Sequence, residues 1–88
     1  MLEVPAAVDV RARVGINAGN VIFRDGDYFG RTVNVASRIA DYARPGEVLV
    51  SDEVKERWGG AGVRFEEIGP VALKGVREEL TLHSASRA

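Results

Sequence analysis

Cysteine is absent, which excludes disulfides and thiolate chemistry and suits a reducing compartment. No apolar run approaches the roughly 20 residues that a membrane-spanning helix needs. The N-terminus, Met1-Leu2-Glu3-Val4-Pro5, also lacks the basic flank and apolar stretch of a secretion signal. A cytoplasmic chain with no membrane segment is the default expectation. Neither charge is in excess: 12 Lys plus Arg stand against 13 Asp plus Glu, a net −1, with no block of one sign. That balance argues against a nucleic-acid or membrane-surface partner and confines any anion site to a local arrangement of side chains. The strands also lack the aromatic cluster of an RNA-binding sheet. At 88 residues the chain makes one small domain, long enough to bury a core but with a thin stability margin.

What is present reads as alternating strands and helices. Val10, Ala12, Val14 and Ile16 alternate with Arg11, Arg13 and Gly15, the pattern of a half-buried strand that Gly19 ends. Val21-Ile22-Phe23 starts a second strand, Asp25-Gly26 suits a two-residue hairpin turn, and Asp27-Tyr28-Phe29 is the return arm. A helix is expected from Thr32 to Ala43, stopped by Arg44-Pro45-Gly46. Glu47 to Val50 forms a strand, and Ser51 is expected to cap a short helix that reaches Trp58, with Asp52 and Glu53 at its positive end. After the connector Gly59-Gly60-Ala61-Gly62, Val63 to Ile68 and Val71 to Leu73 read as strands broken at Gly69-Pro70, and Glu79 to His83 as the last strand. Residues 1–9 are aperiodic and interrupted by Pro5, so a poorly ordered lead-in is expected there, with the domain over 10–84 and a tail at 85–88. The order ββαβαβββ is an α+β arrangement, with helices packed on one face of a mainly antiparallel sheet.

The most informative run is Gly30-Arg31-Thr32-Val33-Asn34-Val35-Ala36-Ser37-Arg38. At roughly 100° per residue, Val33, Val35, Ala36, Ile39, Ala40 and Ala43 gather on one side of the helix and Asn34, Ser37, Arg38 and Asp41 on the other. An amide and a guanidinium thus stand one turn apart on the polar face, a pair suited to phosphate chemistry. Helix geometry alone also fits a solvated face on which Arg38 pairs with Asp41.

The longer string from Asp25 to Ala40 resembles the signature of class III nucleotidyl cyclases. Val14-Gly15-Ile16-Asn17-Ala18-Gly19 upstream, and Pro45-Gly46-Glu47-Val48-Leu49-Val50-Ser51 and Leu73-Lys74-Gly75 downstream, are similar to further family motifs in the same order. The resemblance runs from about Arg11 to about His83 and is nearest to bacterial members. It covers the C-terminal half of the family's catalytic domain, which implies the second half of a ferredoxin-like βαββαβ domain with a C-terminal extension.

Such enzymes close the ribose 3′-hydroxyl of a nucleoside triphosphate onto its α-phosphate and expel pyrophosphate. By resemblance Arg38 is the arginine that holds phosphoryl oxygens as charge develops, and Asn34 the asparagine that positions the ribose. Asp27 matches the aspartate of adenine-selective members: its carboxylate accepts a hydrogen bond from the adenine amine and repels the guanine carbonyl. Lys74 matches the lysine that contacts the triphosphate of ATP. Phe29 is expected in the core or at the base edge. Gly15 and Gly19 mark tight backbone, while His83 and Trp58 are expected outside the site, Trp58 as a packing residue.

The departure from the family pattern bears on activity. The family's two metal-binding aspartates and adenine-reading lysine precede the strand at Val14, and here residues 1–10 hold only Glu3 and Asp9 as acids, neither in a matching motif. Mg or Mn is therefore expected for the complete domain and none for this chain alone, which is expected to be inactive by itself. The family builds its sites between two catalytic domains, so the expected partner is a second copy or a complementing cyclase half. The strand from Val10 to Ile16 or the hairpin from Val21 to Phe29 is expected at or near that interface. The alternative reading is a non-catalytic regulatory or dimerisation module derived from a cyclase domain.

Overall fold

A computed structural model describes residues 2–3, 6–8, 13–20, 22–24, 27–58 and 62–88, with side chains for 13–19, 30–58 and 62–88. The strands are β1 (Leu2–Glu3), β2 (Ala6–Val8), β3 (Val14–Ile16), β4 (Gly19–Asn20), β5 (Ile22–Arg24), β6 (Asp27–Phe29), β7 (Val48–Ser51), β8 (Val63–Val71) and β9 (Leu80–Arg87). Helix α1 (Arg31–Tyr42) lies between β6 and β7, and α2 (Asp52–Arg57) between β7 and β8. The main sheet has the order β2-β3-β7-β9-β8, with only the β3–β7 pair parallel. This is the mainly antiparallel α+β arrangement that the sequence pattern gives. The parallel pair follows from the crossover through α1, which separates β3 from β7 in the chain.

Helix α1 packs by the face its periodicity marks. Val35, Ala36, Ile39 and Ala40 are buried there, and Val35, Ile39 and Ala43 join Leu49, Val71, Leu73 and Leu82 in one core. The fit against β3 is close: a Cβ on Gly15 would lie 2.6 Å from the Ala36 carbonyl oxygen and 2.8 Å from the Ile39 carbonyl carbon, and nearer still to the Ala40 nitrogen. Only glycine lets the helix backbone rest on the strand at this point. At the other end of β3, buried Asn17 donates from Nδ2 to the Thr32 carbonyl oxygen at 3.2 Å, tying the strand end to the first turn of α1.

Several expectations shift. The lead-in expected to be poorly ordered contains β2, which pairs antiparallel with β3 through Ala6↔Ile16 and Val8↔Val14, and β1, which pairs with β4. An aperiodic Ala-Ala-Val run carries no alternation signal, yet the backbone donors and acceptors of β3 give it a ladder. Val14 to Ile16 is therefore an inner strand, flanked by β2 and β7, rather than an edge open to the interface expected at Val10 to Ile16; Val10 lies outside the described residues.

At the other end, β9 runs through the expected tail to Arg87, its small Ser84, Ala85 and Ser86 paired with β8. The strand expected to break at Gly69-Pro70 is continuous, with a bulge between Glu67 and Gly69. The bulge reverses the alternation, so Phe65 and Val71 face opposite sides of the sheet. Pro70 is tolerated because β8 is an edge strand.

Ser51 does precede α2, but its hydroxyl makes no capping bond and is buried without a partner, because strand alternation turns it inward. Trp58, expected to pack, is 49% exposed after the end of α2.

Candidate functional site

Gly30 turns the chain from the hairpin into α1 at φ 114°, ψ 177°, a conformation that favours glycine. The helix then presents Arg31, Asn34 and Arg38 in line along its polar side. Facing them is the segment after β8, which is pinned at both ends: Leu73 is buried in the core, Val76 packs against it, and the Val76 N–H donates to the Leu73 carbonyl oxygen at 3.1 Å. Between these anchors the turn at Lys74-Gly75 projects towards the helix, and a Cβ on Gly75 would stand 3.6 Å from Arg38 Nε. The Arg38 guanidinium therefore lies against the backbone of this turn.

Two clefts open on either side of Arg38. One, of about 480 Å³, is lined by Gly30, Arg31, Asn34, Val35, Arg38 and Gly75 to Arg77. The other, of about 350 Å³, is lined by Arg38, Asp41, Tyr42, Ala72, Leu73 and Lys74. Asn34 and Arg38, placed together by helical spacing, do share a cleft. Lys74 also comes beside Arg38, but in the second cleft. Asp27 is in β6, in register with Arg24 at the turn end of the hairpin, and its side chain lies outside the described residues, as does that of Phe29.

Ion pairs set the resting electrostatics. Arg38 Nη1 is 3.5 Å from Asp41 Oδ2, the pairing that an exposed helix face alone would make. Arg31 Nη2 donates to Glu78 Oε1 at 3.0 Å and links the start of α1 to the facing segment. Both pairs are well exposed, so water screens them and either arginine can be recruited by a stronger anion at small cost.

Sequence reasoning missed Arg31, Glu78 and Arg77. Arg31 stands in the signature run, one turn before Asn34; nothing in the pattern of Glu78 or Arg77 shows that the turn folds back onto α1. It also left His83 without a partner. That side chain is 1% exposed, and its Nε2 lies 2.8 Å from Asp52 Oδ1 at the start of α2. The contact ties α2 to the sheet, away from the two clefts. Among the described residues no cluster of three or more His, Cys, Asp or Glu could hold a metal ion. Among these residues, too, no helix is long and apolar enough to cross a membrane.

The model of the adenylate and guanylate cyclase catalytic domain matches residues 2–85. The chain belongs to this family. It is 43% identical over 81 residues to a pH-sensitive adenylate cyclase of Mycobacterium tuberculosis, covering 88% of this chain and 20% of that protein. Among solved structures, it is similar to an adenylate/guanylate cyclase/hydrolase from Silicibacter pomeroyi, at 32% identity and a TM-score of 0.66, over 83% of this chain and 44% of that one. The adenylyl cyclase CyaB of P. aeruginosa is similar at 26% identity and a TM-score of 0.67, over 86% and 42% of the respective chains. The chain thus spans less than half of the solved cyclase chains it resembles, and a fifth of the mycobacterial protein. It has a cyclase fold.

Proposed function

We propose that the chain is the C-terminal half of a class III adenylate cyclase catalytic domain, forming cyclic AMP and pyrophosphate from ATP in a site completed by a second polypeptide segment. The observation that carries this reading is the shared cleft: Asn34 and Arg38, one helical turn apart, face the same space beside Gly75.

In the reaction the ribose 3′-hydroxyl gives its proton to solvent as its oxygen forms a bond to the α-phosphorus, and the bond from that phosphorus to the leaving pyrophosphate breaks. Negative charge grows on the phosphoryl oxygens and the leaving group. A planar guanidinium with two parallel donors matches that charge, and Arg38 supplies it after exchanging Asp41 for phosphate. Asn34, with a donor and an acceptor on one amide, orients the ribose so that its 3′-oxygen lies in line. Asp27, in the hairpin that leads to Gly30, is assigned to the adenine amine. The complete domain is expected to use Mg or Mn. Among the described residues no group of three or more His, Cys, Asp or Glu could hold the ion, and no step is assigned to it here.

The test is complementation. The chain is mixed with a separately produced cyclase segment that carries the two aspartates of the family's first half, and cyclic AMP is measured from ATP. Activity that appears on mixing and disappears with Arg38→Ala supports the reading; no cyclic AMP above a boiled control overturns it. The Arg38–Asp41 pair also suits the alternative, a non-catalytic interaction module, which requires that the mixed proteins bind no ATP.

A further inference from the structure

We propose that the outer edge of β8 is a self-association surface, at which the stretch from Val63 to Glu67 pairs antiparallel with the same stretch of a second copy of this chain, in one register.

Among the described strands, β8 ends the main sheet and is bound on one side only, by β9. The backbone groups on its other side are open to a further strand. Not all of β8 can take one. Ile68 is the extra residue of the bulge, with no partner in β9, and Pro70 has no N–H to donate, so a regular ladder is confined to Val63, Arg64, Phe65, Glu66 and Glu67.

The side chains of this stretch are left unsatisfied by their own sheet. Arg64 and Glu66 lie on one face, both exposed, opposite the short side chains of Ser86 and Ser84. Among the described residues, Arg64, Glu66 and Glu67 form no ion pair. On the other face Phe65 stands opposite Ala85 and is only half-buried. Charge of one sign along an edge repels a second copy; this edge carries both signs on one face.

Symmetry then selects the register. Two copies of one edge meet antiparallel about a two-fold axis normal to the sheet, which keeps like faces together, so a residue opposes either itself or one an even number of positions away. Centring the axis on Arg64, Glu66 or Glu67 sets a charge against its own kind, and centring it on Val63 leaves Glu66 and Glu67 beyond the start of the other β8. Centring it on Phe65 places Arg64 of each copy opposite Glu66 of the other and brings the two Phe65 rings together on the opposite face. Two five-stranded sheets become one, with α1 of both copies on the same side. No residue of the stretch lines either cleft beside Arg38, so the pairing stands apart from the proposed activity.

The test is sedimentation velocity of the full chain from micromolar to millimolar concentration, in the wild type, Arg64→Glu, Glu66→Arg, the double exchange of both, and Glu67→Arg. All three positions are exposed, and an unchanged amide spectrum establishes that each variant folds. The wild type is expected to approach twice the 9.5 kDa chain mass. Each reversal at Arg64 or Glu66 sets like charges opposite one another at two symmetric places and is expected to raise the dissociation constant about tenfold. The double exchange re-forms both pairs with their signs swapped and is expected to return to within about threefold of the wild type. Glu67→Arg, opposite Val63 in this register, is expected to change it by less than about twofold.

A wild-type chain that stays monomeric at millimolar concentration overturns the proposal. A dimer that neither reversal weakens places self-association on another surface and overturns it too. Losses in both single variants that the double exchange does not recover exclude the Phe65-centred register, and the proposal falls with it.

Discussion

The two sides of α1 are held in different ways. On the buried side, Ile39 is 0% exposed, Ala36 is 1% exposed, and a single added carbon at Gly15 would collide with helix backbone. On the open side, Asn34 and Arg38 are exposed, and Arg38 is held by one screened ion pair to Asp41. Packing therefore fixes where the helix is, and the chemistry-bearing side chains take their place from it while staying free to change partners. The lesson is a separation of costs: substitutions on the buried side are expected to reach function through stability, and those on the open side to reach it directly.

The strongest way to break that comparison is Gly15→Ala. Its methyl would meet the backbone around Ala36, Ile39 and Ala40, which moves only if the helix lifts off β3. Overpacking against backbone is expected to cost about 3 kcal/mol or more, a large share of a small domain's stability. Urea unfolding measures it. A loss below about 1 kcal/mol would mean that the helix is not seated as closely as the geometry states.

Arg38→Ala tests the opposite side. In the complemented domain it is expected to lower kcat by about 10² to 10³, with little change in KM, as for a group engaged mainly in the transition state. The unfolding midpoint of the chain is expected to stay almost unchanged, because the pair with Asp41 is exposed. An effect confined to KM would assign Arg38 to ground-state binding, and an equal loss of stability would erase the distinction between the two faces.

How much of this was legible in the sequence follows the same division. The strand around Val14, α1 and β7 could be read because alternation and helical periodicity report burial directly, and the hairpin because Asp25-Gly26 suits its turn. The shared face of Asn34 and Arg38 followed from their spacing. β2 and the end of β9 could not be read, since Ala6-Ala7-Val8 and Ser84-Ala85-Ser86 owe their strand form to neighbouring strands rather than to side-chain pattern. The bulge at Ile68 was read as a break, because glycine and proline together ordinarily end a strand and only the edge position of β8 allows them. The opposite placement of Lys74 and Arg77 depends on how Leu73 and Val76 are anchored, a tertiary fact with no local signal. His83 looked idle because its partner, Asp52, is distant in the chain.

That last contact gives a third, smaller test. Asp52→Ala leaves buried His83 with Nε2 unpaired, in a ring whose Nδ1 is already buried without a partner. The expected cost is about 1 to 2 kcal/mol, the penalty for an orphaned polar group, lowered here because Asp52 itself is half exposed. Hydrogen exchange is expected to show the loss concentrated in α2 and β9 rather than in α1. Uniform destabilisation across both helices would instead place Asp52 in the main cooperative core.

The smallest expected effect belongs to Arg31 and Glu78, and it sharpens the comparison most finely. Their 3.0 Å contact joins the start of α1 to the segment that carries Arg77, so the geometry alone suggests a clamp across the cleft. Energetics argue otherwise. The two side chains are 61% and 69% exposed, and an ion pair so solvated contributes at most about 0.5 kcal/mol after screening and side-chain entropy. A double-mutant cycle with Arg31→Ala and Glu78→Ala, measured by urea unfolding, is expected to give a coupling within that limit and to vanish in high salt. A coupling above about 1 kcal/mol that survives salt would show the open side to be held as firmly as the buried one. Arg31 would then be a fixed wall of the cleft rather than a cation free to turn towards an incoming phosphate.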